Sequence, residues 1–189
     1  MTGSRGAEYF AALYAANPDP WDFAGSAYEH AKYRASLAAL GDRKFAAGLE
    51  VGCSIGVLTA SLAERCAALL AVDIVASALA AARTRCAGQT QVTFENRRIP
   101  EAWPAGKFDL MVFSEMLYFL TPADIRRTAG LACKALQPGG RILLVNYTAP
   151  IEEPCSGDEA AEIFITAAGL PVCRHAAEEK FRIDFLGEG

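Results

Sequence analysis

The sequence has few residues from which to build a metal site. It contains only two histidines, His30 and His175, and its six cysteines include no C-x-x-C pair. Because a structural zinc ion takes four Cys or His ligands, usually with two of them closely spaced, this composition argues against a zinc protein. We expect no bound metal, and we expect the cysteines to be free thiols in a reducing compartment.

An excess of positive charge is also missing. The chain carries 18 Lys and Arg against 22 Asp and Glu, a formal net charge of −4, and its basic residues are spread along the sequence. It therefore lacks the electrostatic footprint of a protein that binds nucleic acid or an anionic membrane surface. We expect a small-molecule partner, no nucleic acid and no membrane, and we leave the oligomeric state open.

Long apolar segments are absent too. The run at 110–120 is interrupted by Glu115, and none approaches the roughly 18 residues that a membrane helix needs. Residues 1–8, MTGSRGAE, show no apolar segment behind a basic start, so we expect no secretory signal and a cytoplasmic location. With 189 residues, 52% of them hydrophobic, the chain can form one domain. We expect a helical cap over 1–45 and a Rossmann-like core over 46–189.

Short apolar runs alternate along the chain with longer Ala- and Leu-rich stretches, the pattern of an α/β fold. Strands are predicted at 49–51, 70–74, 92–94, 108–113, 141–145, 171–176 and 181–185. Helices are predicted at 8–16, 26–40, 57–69, 76–86, 121–136 and 158–168.

These elements predict a doubly wound, seven-stranded, Rossmann-like sheet that is mostly parallel, with an antiparallel C-terminal strand and helices on both faces. In the last strand Phe181, Ile183 and Phe185 alternate with Arg182 and Asp184. That alternation predicts one wetter face for this strand.

The most informative segment is 50–56, EVGCSIG, between the first strand and its helix. Gly52 and Gly56 permit a tight turn, and the following helix offers unpaired N–H groups, so a nucleotide-like ligand is expected. The dinucleotide fingerprint G-x-G-x-x-G needs glycine where Ser54 and Val57 stand. An NAD-dependent oxidoreductase is therefore a distant alternative.

Two acidic residues flank this loop in the predicted fold. Asp73 ends the second strand, 21 residues after Gly52, a distance that suits an acid accepting both hydroxyls of a ribose. Glu50 precedes the loop, where it would repel a diphosphate but suit a cationic amino-acid group. S-adenosyl-L-methionine presents both a ribose and such a cation.

Four segments in order resemble the motifs of the class I S-adenosylmethionine-dependent methyltransferases. They are EVGCSIG at 50–56, AVD at 71–73, FDLMV at 108–112 and LQPGG at 136–140. The resemblance implies S-adenosyl-L-methionine as cofactor and S-adenosyl-L-homocysteine as product.

A narrower resemblance is to the nodulation protein S family. It is carried by DPW at 19–21, Tyr28-Glu29 with Lys32, EVGC at 50–53 and SEMLYFL at 114–120. That family is known for N-methylating an amino sugar of a deacetylated chitooligosaccharide. The resemblance therefore favours methylation of the amine of an amino sugar or chitooligosaccharide.

The resemblance implies a set of cofactor contacts. In the loop after the third strand, Arg98 stands where an acid commonly binds the adenine amine, so either Asn96 makes that contact or backbone near Ile99 reads the base. Lys32 is expected to pair with the methionine carboxylate. The full predicted cofactor-binding set is Tyr28, Lys32, Glu50, Gly52, Cys53, Ser54, Gly56, Asp73, Ile74, Asn96, Arg98, Ile99 and Ser114.

The acceptor side is predicted after the fourth strand, with Glu115 and Tyr118 as candidate catalytic residues. Glu115 either steadies a protonated amine or takes its proton, or it only caps the next helix or faces water. Tyr118, Trp103 and Tyr147 are candidates to stack on a sugar ring. Two alternatives stay open: O-methylation of a small metabolite, and a non-catalytic cofactor-binding module on the same fold.

Overall fold

The computed structural model describes residues 3–187. None of the helices in this range is long and apolar enough to cross a membrane. The helices are α1 (Ala7–Ala16), α2 (Ala27–Ala39), α3 (Val57–Leu62), α4 (Ala76–Arg85), α5 (Pro122–Ala135) and α6 (Gly157–Ala168), with a 3-10 turn at Leu117–Phe119. The strands are β1 (Phe45–Val51), β2 (Cys66–Asp73), β3 (Val92–Asn96), β4 (Phe108–Ser114), β5 (Leu136–Tyr147), β6 (Val172–Ala177) and β7 (Phe181–Leu186).

The seven strands form one sheet in the order β3-β2-β1-β4-β5-β7-β6. All neighbouring strands are parallel except β7, which lies antiparallel between β5 and β6. The predicted sheet is confirmed. The chain reverses its direction of travel across the sheet between β1 and β4, and ligands of such folds bind at the carboxyl ends of the strands beside that point.

The central strands are buried on both faces, as a parallel sheet with helices on both sides requires. In β4, Met111 and Phe113 pack on one side with residues of α5 and α6. Leu110 and Val112 pack on the other side with residues of α2 and α3. The apolar, two-sided composition of β4 therefore places it at the centre of the core.

Several predicted elements had wrong boundaries, and the strand predicted at 49–51 begins four residues earlier, at Phe45. The helix predicted at 57–69 ends at Leu62, and β2 already begins at Cys66, where it pairs with Phe45 of β1. An Ala- and Leu-rich run suits a buried helix or a buried strand equally well, so pairing with β1 decides its structure. The strand predicted at 141–145 extends over the whole of β5, beyond a register irregularity near its start.

The predicted wetter face of β7 is wrong, because all six of its residues are buried: β6 pairs with its outer edge, and α6 contacts Arg182. Arg182 donates hydrogen bonds to both carboxylate oxygens of Asp184, at 2.8 and 3.0 Å, and also reaches Asp158 and Glu162 on α6. His175 Nδ1 lies 2.7 Å from Asp184 Oδ1. We call these five residues the edge cluster; paired charges, rather than solvent, satisfy the polar positions of β7.

Candidate functional site

A cavity of about 550 Å³ lies at the carboxyl ends of β1, β2 and β4, beside the reversal point of the sheet. Its walls come from the loops after these strands, from α1 and α2, and from the segment that follows β5. Ten of the predicted site residues line it: Lys32, Gly52, Ser54, Asp73, Ile74, Arg98, Ile99, Ser114, Glu115 and Tyr118.

The loop after β1 turns tightly against Asp73. Gly52 and Ser54 both adopt positive φ angles, of 82° and 51°, and a side chain at Gly52 would meet Met116 at 3.1 Å. Asp73 accepts the N–H of Ser54 at 2.8 Å and of Val75 at 2.9 Å. Burial raises the pKa of Asp73, and these backbone N–H groups oppose the rise. The carboxylate is thus fixed at the cavity wall with lone pairs left for further donors.

Three other predicted cofactor residues lie behind this loop rather than on the cavity wall. Gly56 starts α3 with a φ of 79°, and a side chain there would meet Ala82 of α4 at 2.9 Å, so it serves close helix packing. Cys53 is buried beside Ala71. Glu50 is 1% exposed and borders a separate space of about 20 Å³; burial raises its pKa to about 7.

The loop after β3 borders the end of the cavity next to Asp73. Ile99 is buried in its wall, and Arg98 also lines it while lying 3.5 Å from Glu101. The side-chain amide of Asn96 instead donates to the backbone carbonyl of Asp73 at 2.9 Å, away from the lining. Of the two predicted ways to read adenine, this arrangement favours backbone groups near Ile99.

Two buried charges and one partly buried charge meet at the α2 side of the cavity, in what we call the acidic end: Glu29, Lys32 and Glu115. Lys32 Nζ lies 2.9 Å from both carboxylate oxygens of Glu29 and 2.8 Å from Glu115 Oε1. Lys32 is 1% exposed and Glu29 is 6% exposed. Burial raises the pKa of Glu29, and Lys32 opposes the rise. Because this ammonium group already pairs with two carboxylates of the chain, the structure does not support the predicted pair of Lys32 with a methionine carboxylate.

Glu115 sits on a strained backbone at the end of β4. Its φ is 57°, a left-handed value that costs a residue other than glycine about 1–3 kcal/mol. Its Oε2 accepts the hydroxyl of Tyr118 at 2.6 Å and the N–H of Tyr147 at 3.2 Å. Glu115 therefore neither caps the next helix nor faces water; it joins α2, the 3-10 turn and β5 at one point.

The aromatic residues predicted around the site separate into two groups. Tyr118 and Tyr147 line the cavity. Trp103 stacks on Phe113 in the core, with ring centroids 6.4 Å apart, and lies outside the lining. Tyr28 lies behind the acidic end, with its ring 5.1 Å from Lys32 Nζ and its hydroxyl donating to the carbonyl of Lys180. Tyr28 thus supports Lys32 rather than facing the cavity.

The sequence predicts a helical cap over 1–45 but singles out none of the α1 residues that cover the cavity, which are Phe10, Leu13 and Tyr14. These positions follow the i, i+3, i+4 spacing of one helix face, a signal that was available in the sequence. The segment before α1 is fastened to the loop after β5: Arg5 donates to Glu153 at 2.6 Å, and Tyr9 donates to the same carboxylate at 2.9 Å.

Comparison with known proteins agrees with this geometry. The sequence model of the family described as nodulation protein S (NodS) matches residues 12–143. The chain belongs to the nodulation protein S family. Nodulation protein S of Rhizobium tropici is 31% identical over 127 residues, which are 66% of this chain and 53% of that protein. The chain thus spans about half the length of the curated relatives it matches.

Solved structures share the fold. A putative methyltransferase from Pseudomonas syringae is 34% identical, with a TM-score of 0.76 over 85% of this chain and 99% of that one. N-methyltransferase NodS from Bradyrhizobium japonicum, in complex with S-adenosyl-L-homocysteine, is 22% identical, with a TM-score of 0.82 over 96% of this chain and 98% of that one. The resemblance drawn from the four ordered motifs is confirmed.

Proposed function

We propose that the chain is an S-adenosylmethionine-dependent methyltransferase that acts on a small-molecule amine, with the amine of an amino sugar as the leading candidate. The observation that carries this proposal is one cavity that combines two features. Asp73 and the glycine-containing loop lie at one side of it, and an acidic end with one more carboxylate than ammonium lies at another.

The residues present fit the cofactor. Asp73, fixed by two backbone N–H groups, is placed to accept the ribose hydroxyls. Gly52 and Ser54 bring backbone close to the cavity, Ile74, Ile99 and Ser114 complete the wall around the nucleoside, and Cys53, Gly56 and Glu50 hold that loop from behind. When bound, S-adenosyl-L-methionine supplies a methyl group that leaves its sulfur for the acceptor atom, so that S-adenosyl-L-homocysteine remains.

The acceptor would meet Glu115, Tyr118 and Tyr147. The negative charge of the acidic end favours a cationic acceptor. The cavity volume of about 550 Å³ lies in the lower half of the 300–1,000 Å³ range of small-ligand pockets, and the cavity must hold both the cofactor and the acceptor. A small ammonium compound suits this space. Neutral hydroxyl acceptors would leave the extra carboxylate without a counter-charge.

The first test is calorimetric titration of the purified chain with S-adenosyl-L-homocysteine. We expect binding with one ligand per chain, and its absence would refute the proposal. A methyl-transfer screen with labelled cofactor then compares glucosamine, deacetylated chitooligosaccharides, simple amines and phenols.

The outcome of the screen distinguishes three functions: N-methylation, O-methylation and cofactor binding without catalysis. Turnover of amines supports the proposal, and turnover confined to hydroxyl acceptors supports O-methylation. Binding of S-adenosyl-L-homocysteine without turnover of any acceptor supports a non-catalytic module. We also propose a cytoplasmic location, which the six free cysteines support.

A further inference from the structure

We propose that Glu29 is the carboxylate that takes the proton of a cationic amine acceptor, an inference that rests on the proposed function. Glu29 lies in the first turn of α2 and lines the cavity. Its partners Lys32 and Glu115 line the same wall. Glu115 is the more obvious candidate from the sequence, so the choice between the two carboxylates has to be argued.

Counted on the sequence, Glu29 stands 44 residues before Asp73 and 86 before Glu115. Only the fold brings the three carboxylates to one cavity.

Hydrogen bonding distinguishes the two carboxylates of the acidic end. Glu115 accepts the hydroxyl of Tyr118 and the N–H of Tyr147, and it lies in ion-pair contact with Lys32. The side chain of Glu29 has Lys32 as its one partner among the described residues, with Nζ 2.9 Å from each carboxylate oxygen. Because hydrogen bonds to a carboxylate favour its ionised form, Glu29, which has fewer of them than Glu115, is the better proton acceptor.

The charges balance through the step. With both carboxylates ionised, the acidic end carries a net charge of −1, which a bound ammonium group neutralises. One proton moves from the ammonium nitrogen to a carboxylate oxygen of Glu29, and the N–H bonding pair stays on nitrogen as a lone pair. That pair forms the new N–C bond while the S–C bond breaks and its electrons stay on sulfur. The Lys32–Glu115 pair remains, beside a neutral carboxylic acid.

The surroundings of Glu29 suit this role. Burial raises its pKa, and the negative charge of Glu115 adds to the rise; a base whose pKa lies nearer to neutrality transfers protons more effectively. The titratable groups that face it are Asp19, Tyr28, Lys32, Tyr33, Glu115 and Tyr118.

The test compares three variants with the wild-type chain: Glu29→Gln, Glu29→Asp and, as a charge-matched control on the surface, Glu64→Gln. Each is titrated with S-adenosyl-L-homocysteine and then assayed across a pH series on glucosamine, deacetylated chitobiose and butylamine. We expect Glu29→Gln to keep its affinity for S-adenosyl-L-homocysteine and to lose about 100-fold or more in kcat near neutral pH. Glu29→Asp should recover part of the rate, and Glu64→Gln should match the wild type.

The pH profile separates a catalytic role from a structural one. The rate of Glu29→Gln should climb with pH as free amine replaces ammonium, whereas the wild-type rate should level off at lower pH. A uniform loss at every pH, with no recovery in Glu29→Asp, would overturn the inference. Binding of S-adenosyl-L-homocysteine without turnover of any amine would also overturn it, whereas failure to bind S-adenosyl-L-homocysteine would refute the proposed function itself.

Discussion

The protein buries charge in two places, and the two are built differently. In the edge cluster, Arg182 and Asp184 neutralise each other in the interior, and the further partners Asp158 and Glu162 reach solvent. In the acidic end, two carboxylates share the single ammonium group of Lys32. The buried pair of the edge cluster is balanced, because its two surplus carboxylates reach solvent, whereas an unbalanced group of buried charges beside a cavity gains from a cation. Buried charges of the same kinds therefore stabilise the sheet in one region and, in the function we propose, attract the acceptor in the other.

The largest effect on the free energy of unfolding is expected for a substitution in the edge cluster. Asp184→Ala removes the buried partner of Arg182 and should lower the free energy of unfolding by about 3 kcal/mol, because it leaves a buried cation poorly compensated. Asp158→Ala removes only a solvent-exposed partner and should cost less than about 1 kcal/mol. Urea unfolding measures both. Equal losses of unfolding free energy in the two variants would show that the buried pair contributes no more to stability than the exposed one.

A buried acid outside both clusters should show how an unpaired charge behaves. The pKa of Glu50 is raised from 4.5 to about 7 by burial, so the folded chain binds its proton more tightly than the unfolded chain. The stability it contributes is complete below pH 4.5 and lost as the pH rises through about 7, by up to about 3 kcal/mol. Glu50→Gln should flatten this slope in urea unfolding at a series of pH values. An unaltered slope would contradict the assignment.

On the cavity wall, a lost charge should appear in ligand binding rather than in stability. Asp73→Asn should weaken the binding of S-adenosyl-L-homocysteine by roughly 1.5–3 kcal/mol, because it removes charge-assisted hydrogen bonds to the ribose. Calorimetric titration measures the change, with Asp42→Asn as an exposed control. Unchanged affinity would show that the ribose does not meet Asp73.

The smallest effect is expected at Glu115. Glu115→Gln keeps the shape of the side chain and leaves Lys32 paired with Glu29, so we expect only about a tenfold loss of rate on an amine acceptor, near 1.4 kcal/mol. Glu152→Gln, an exposed change in the loop after β5, serves as control. An undiminished rate on amines would remove Glu115 from the acceptor site.

Much of the fold could be predicted from the sequence because its signals are local. The apolar run of β4, the loop glycines and the Thr121-Pro122 start of α5 each determine a short stretch of chain. The boundary between α3 and β2 could not be predicted, because pairing with β1 decides it.

The charged groups of the site were harder to predict than its backbone. Asp73 and Ser54 follow a known spacing, but the contact of Lys32 with Glu115 joins residues 83 positions apart in the sequence. Lys32 was predicted to bind the methionine carboxylate of the cofactor. In the structure it pairs with Glu29 and Glu115 instead. The contacts of Arg182 likewise depend on Asp158 and Glu162 of α6, which the residue pattern of β7 alone cannot predict.

The fastening of Arg5 to Glu153 has a consequence for the order in which the protein matures on the ribosome. These two residues are 148 positions apart, and both border the cavity. The N-terminal segment leaves the ribosome first, but Arg5 can pair with Glu153 only after the loop that follows β5 has been synthesised. Closure of the cavity is therefore a late event in synthesis, and a nascent chain truncated before Glu153 would have the glycine loop and Asp73 but no complete cover over them.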